Sequence, residues 1–95
     1  MTLEKQITEF LTHVENIGED KATEIAKSVE PVVISFDDFI DSVVDGRSQI
    51  MEIIVQVDGV GKTTAGGIRD LALRLESGEV RVVEDNFGKI RVIRN

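Results

Sequence analysis

Gly59, Val60, Gly61, Lys62, Thr63 and Thr64 stand in a row, and their types suit one kind of chemistry. Two glycines one residue apart permit backbone angles that a side chain blocks, and they let the main chain approach a ligand closely. From Lys62 to Leu75, the residues Ala65, Ile68, Leu71, Ala72 and Leu75 recur at helical spacing. A helix starting at Lys62 presents unpaired N–H groups and the positive end of its dipole to whatever lies before it. Phosphate oxygens suit that end. Lys62 adds a cation, Thr63 and Thr64 add hydroxyl donors, and Val60 is an apolar anchor. Arg69 and Arg74, farther along, either reach a phosphate backbone or solvate the helix. Such contacts hold phosphate but carry no sequence information.

Other chemistries fit less well. Gly61-Lys62-Thr63 also ends a P-loop, but that loop needs a glycine where Gln56 stands and a parallel sheet that 95 residues can hardly supply. The dinucleotide fingerprint fails at Thr64, where its third glycine belongs. Asp37, Asp41 and Asp45, with Asp38 beside them, share a helical face; this reads as a solvated acidic surface rather than a metal site. His13 is the one histidine and has no evident catalytic partner. No nucleophile–base pair supports catalysis, so the sequence predicts a binding protein, not an enzyme, with no catalytic or metal-ligating residues. Arg81, Lys89, Arg91 and Arg94 read as an ordinary solvated strand face, with a second basic contact as the alternative.

The length of 95 residues fits one domain, and 41% hydrophobic residues suffice for one modest core. The chain has no tryptophan or tyrosine and four phenylalanines, so stacking bases on aromatic platforms is not expected as its main mode of recognition. Without cysteine it has no disulfide or thiolate metal site, which agrees with a reducing cytoplasm. No signal peptide opens the sequence and no apolar run approaches membrane-spanning length, so a cytoplasmic, membrane-free setting is expected. The net charge of −7 opposes phosphate binding, but its distribution matters. Residues 1–57 carry 4 basic and 12 acidic side chains, whereas residues 58–95 carry 7 basic and 6 acidic.

Several elements must position the glycines. Leu3, Ile7, Phe10, Leu11 and Val14 predict a helix over residues 3–14 with Thr2 as its N-cap. Ile17-Gly18 breaks it. A second helix runs from Asp20 to Val29 and stops at Pro31. Val32–Ser35 reads as a linker or a short strand. Ser35 with Asp38 resembles a capping box before a helix over 36–44. Ser48 caps a fourth helix carrying Ile50, Ile53, Ile54 and Val57, although its β-branched residues also allow a strand. The fifth helix, from Lys62, closes at Ser77-Gly78. Alternation from Val80 onward predicts a β-hairpin turning through Asp85-Asn86-Phe87-Gly88.

The chain also contains itself twice. Leu11, Val14, Ile17, Gly18, Ala22 and Ile25 match Ile54, Val57, Val60, Gly61, Ala65 and Ile68 at a constant offset of 43 residues. The glycine–hydrophobic–glycine turn followed by the small Ala65 resembles the helix-hairpin-helix family. Two copies joined by a connector helix resemble its tandem, five-helix form over roughly residues 3–75. The resemblance implies a mostly α fold, with a tandem core over 1–76 and a β-hairpin extension over 77–95. It implies non-sequence-specific contact with double-stranded DNA, or RNA, through Gly59, Val60, Gly61, Lys62, Thr63, Thr64 and Arg69. Family hairpins bind consecutive phosphates, in some members with a monovalent cation; no other cofactor is implied. The implied setting is an accessory domain or subunit in DNA repair, replication or recombination, with a protein partner or a homodimer. The first copy departs from the pattern: Asn16 replaces the first glycine, and Glu19 and Asp20 stand where Lys62 and Thr63 stand in the second. It reads as a structural partner. Units of this type also serve as packing or dimerisation elements, so the competing expectation is a protein-interaction module using the acidic half.

Overall fold

A computed structural model describes residues 2–46, 48–87 and 89–95. Among them the chain forms five α-helices: α1 (Leu3–Leu11), α2 (Glu19–Val29), α3 (Phe36–Val44), α4 (Ser48–Gln56) and α5 (Lys62–Ser77). Two antiparallel strands follow, β1 (Val80–Glu84) and β2 (Ile90–Arg94). The mostly α-helical architecture with a C-terminal β-hairpin is the one the sequence predicts.

Local signals set most boundaries. Thr2 Oγ1 accepts from the Lys5 N–H at 3.2 Å and caps α1. Ser35 Oγ accepts from the Asp38 N–H at 3.0 Å and caps α3. The return bond of the expected capping box is displaced by one residue: the Asp38 carboxylate takes the Ile34 N–H at 3.0 Å. Pro31 lies in a short 3-10 turn, Glu30–Val32, after which Val33 is extended, so the segment is a linker and not a strand. Helix α4 is a helix despite its β-branched residues, because Ile50 and Ile54 fall four apart and are both buried. The cap expected of Ser48 rests on a side chain outside the described set, and Gly88 of the predicted β-turn is also outside it.

Helix α1 ends at Leu11, three residues earlier than its apolar spacing suggests. The His13 and Val14 N–H groups bond the carbonyls three residues back, Phe10 and Leu11, so the chain tightens out of the α-helix. Val14 is nevertheless buried, because the turn itself folds over the core.

That core joins all five helices. Phe10 of α1 packs edge-on against Phe36 and Phe39 of α3, with ring centroids 5.5 and 6.3 Å apart. Leu11, Ile25, Val43, Ile54 and Ile68 are fully buried around them. The β-hairpin lies across α1 and α5, with Val82 and Val92 packed on the helical core. Its mounting is polar as well. The Ile90 N–H donates to Glu9 Oε2 at 2.7 Å, and His13 Nε2 lies 3.5 Å from the Ile90 carbonyl.

Candidate nucleic-acid interface

The two copies seen in the sequence fold into matching turns. In the first, Val14 N–H bonds Leu11 O, Ile17 N–H bonds Val14 O, and Ala22 N–H bonds Gly18 O. In the second, Val57 N–H bonds Ile54 O, Val60 N–H bonds Val57 O, and Ala65 N–H bonds Gly61 O. Asn16 and Gly59, equivalent in the repeat, both have left-handed backbone, with φ of 70° and 81°. Asparagine is among the few side-chain-bearing residues that visit this region readily, which is how the first turn survives without its glycine. Gly18 and Gly61 are the N-caps of α2 and α5, and neither helix start has a side-chain cap. Ile17 and Val60, each 6% exposed, anchor their turns in the core.

Equal backbones carry unequal charge. The first turn of α2 contains Glu19 and Asp20, whereas that of α5 contains no acid. Acids near a helix start satisfy its dipole from within, whereas Lys62 sits against the dipole at a cost of about 0.3–1 kcal/mol. Lys62 and Thr63 are exposed, and Thr64 is half-buried. Gly61 is in ordinary extended backbone, and a Cβ added there would meet nothing within 4 Å. Neither backbone angle nor packing demands glycine at 61, but its absent side chain leaves the first N–H groups of α5 approachable.

A residue that local sequence reading misses joins this site. Lys21, in the first turn of α2, donates from Nζ to the Gly59 carbonyl at 3.1 Å. It brings a second ammonium to the second turn from the first copy. A monovalent cation binding at the same carbonyl would face that ammonium at close range, so the residues present do not fit one there.

Arg69 is placed differently. It lies seven residues beyond Lys62 on α5, about 10 Å along the axis, and its Nε and Nη2 donate to the Val44 carbonyl at 3.3 and 3.1 Å. Val44 is the last residue of α3, so Arg69 satisfies a helix-end carbonyl near the negative end of that dipole. Arg74 is paired with Asp70 at 3.2 Å and Glu79 at 3.5 Å. The structure thus gathers Gly59 to Thr64 with Lys21 and leaves Arg69 and Arg74 to the support of α5. Close helix approach relies on Gly67 as well as Ala65. A Cβ at Gly67 would come within 3.2 Å of Val14 Cγ1 in the first turn, while Ala65 is 3% exposed.

The first turn borders a cleft of about 800 Å³ between α1 and the β-hairpin, lined by cations (Lys5, Lys89, Arg91) and acids (Glu9, Glu19, Asp85) together. Asp37 and Asp41 are exposed on α3. Among the described residues no three His, Cys, Asp or Glu side chains are grouped to hold a metal ion, and no helix is long and apolar enough to cross a membrane. Comparison with protein-family models, curated proteins and solved structures gives no match.

Proposed function

We propose that this chain binds the backbone of double-stranded DNA without reading its sequence. Consecutive phosphates would lie on Gly59–Thr64, as in the helix-hairpin-helix family it resembles. The observation that carries the reading is the contrast between two turns of the same backbone. One has acids in its helix start; the other has an uncapped, acid-free start flanked by Lys62 and Lys21. Lys21 also braces the turn through the Gly59 carbonyl, but Lys62 in the first turn of α5 opposes the helix dipole, a placement that packing alone does not call for. The acidic remainder of the surface keeps the grip weak outside a larger assembly, which suits an accessory domain or subunit in DNA repair, replication or recombination. Such a ligand goes with an intracellular setting.

The test is a fluorescence-anisotropy titration of labelled duplex DNA at about 50 and about 200 mM salt, the range over which backbone binding weakens steeply. Gly61→Asp is the informative variant. Its carboxylate caps the α5 N–H groups and suits the dipole, so melting temperature holds or rises. The same carboxylate occupies the place of the phosphate, so duplex binding is lost. Duplex binding unchanged in this variant, or absent in the natural chain at the lower salt, overturns the reading. Absence would favour a protein-interaction role for the acidic half. A duplex RNA arm separates DNA from RNA.

A further inference from the structure

The strand register sorts the β-hairpin side chains into two faces. Val80, Val82, Ile90 and Val92 share the inner face: Val80 and Ile90 are buried, and Val82 and Val92 pack on the helical core. Opposite them, Arg81 pairs with Ile93 and Val83 with Arg91, and Lys89 follows beside Asp85 at the turn. Arg81, Lys89 and Arg91 are all exposed. On the strands and turn themselves, the one acid of this face among the described residues is Asp85, its carboxylate turned into its own loop, while Lys89 and Arg91 also border the cleft that Glu9 and Glu19 line from the helical side. The Asp85 carboxylate accepts from the Phe87 and Lys89 N–H groups, both at 2.9 Å. On this face of the hairpin three cations, Arg81, Lys89 and Arg91, stand to one acid, against a net charge of −7 for the whole protein.

The tip adds a second feature. Three of the four phenylalanines, Phe10, Phe36 and Phe39, pack together in the core. The fourth, Phe87, is 92% exposed at the turn. The turn that carries it is closed by the Asp85 bonds and by Asp85 N–H to Lys89 O at 2.9 Å. The ribbon behind it is fixed to α1 through Glu9 and Ile90.

We propose that the outer face of this ribbon binds unpaired nucleotides, with Arg81, Lys89 and Arg91 on phosphates and Phe87 stacked on a base. Charge complementarity selects a polyanion. The ring selects one with accessible bases, since every base offers a π-face to a lone aromatic. Asn86 and Lys89 beside Phe87 are exposed and polar, and the Lys89 ammonium suits the phosphate next to a stacked base. This surface lies on different elements from Gly59–Thr64 and does not depend on that site.

The experiment is an anisotropy titration of the full chain with labelled oligothymidylate and, separately, with blunt duplex DNA. Phe87→Ala is expected to weaken oligothymidylate binding by about fivefold or more while leaving the duplex within twofold. The combined variant Arg81→Gln, Lys89→Gln, Arg91→Gln is expected to reduce the logarithmic salt slope for the single strand by about two. All four positions are exposed, and circular dichroism with thermal melting checks that both variants stay folded. Gly61→Asp is expected to lose duplex binding and keep oligothymidylate binding, so the two sites fail separately. The proposal is overturned if the natural chain fails to bind oligothymidylate at low salt, or if both ribbon variants bind it unchanged. It is also overturned if Phe87→Ala alters only self-association by light scattering.

Discussion

Lys21 Nζ donates to the Gly59 carbonyl at 3.1 Å, linking a helix of the first copy to the turn of the second. The bond is exposed, so water competes for both partners and its share of stability is small. Its consequence is electrostatic: an ammonium is held beside the start of α5. Lys21→Met keeps most of the aliphatic stem and removes the charge. Melting temperature is expected to stay nearly constant. The log–log salt slope for duplex DNA is expected to fall by about 0.9, the value of one phosphate contact. An unchanged slope would reduce Lys21 to a brace for the turn. Because the ammonium already occupies the Gly59 carbonyl, exchanging Na⁺ for K⁺ at constant ionic strength is expected to leave the natural chain's duplex affinity unaltered.

The left-handed positions give a second prediction, about stability alone. Gly59 has φ of 81°, and a Cβ there would lie 3.3 Å from Lys21 Cε. Gly59→Ala is expected to cost about 1–2 kcal/mol, visible as a fall in melting temperature of roughly 4–8 °C per kcal/mol for a domain of this size. Asn16→Gly, at φ 70° in the equivalent turn, is expected to be neutral or slightly stabilising. A Gly59→Ala protein that melts with the natural chain would contradict the assigned backbone.

Much of this fold is written locally. Helix α3 begins and ends where Ser35 and the Asp45-Gly46 pair put it. The repeat is legible because both copies make the same turn hydrogen bonds and bury the same positions except one, Val57 being half-buried where Val14 is buried. Periodicity overran at Val14, since a buried turn residue and a buried helical residue look alike in sequence. Lys21 was missed for a different reason. It is 38 residues from Gly59 and follows Glu19 and Asp20, so nothing nearby marks it as part of the proposed phosphate-binding turn. Its repeat equivalence to Thr64, one of the candidate residues, was the available signal. For Arg69 the sequence offers a phosphate contact or a solvated helix face, and its actual partner, the Val44 carbonyl, is a tertiary fact.

Arg69 supplies a third prediction. Arg69→Met is expected to destabilise the protein by about 0.5–1 kcal/mol, because the end of α3 loses a cation beside its carbonyls. Duplex affinity is expected to change less than twofold. Thermal melting and the duplex titration together check this. A large loss of affinity with unchanged stability would instead make Arg69 a phosphate contact.

The last prediction concerns pH. The Lys89 N–H bond, and after it the Phe87 N–H bond and the nearby Arg91 and Lys89 charges, hold the Asp85 carboxyl below its usual value, outweighing the opposing desolvation. A carboxyl depressed in the folded state adds stability above its unfolded pKa, near 4, and that contribution is lost as pH falls through the lower folded value. The turn should therefore be closed at neutral pH and loosen below about pH 4. In NMR titrations the amide protons of Phe87 and Lys89 are expected to shift together with a midpoint below that of an ordinary aspartate. Asp85→Asn should abolish this shared transition and leave the helical core folded. If the two amides titrate with different midpoints, or keep their transition in Asp85→Asn, the carboxylate does not close this turn. Phe87 would then lose the support that presents its ring.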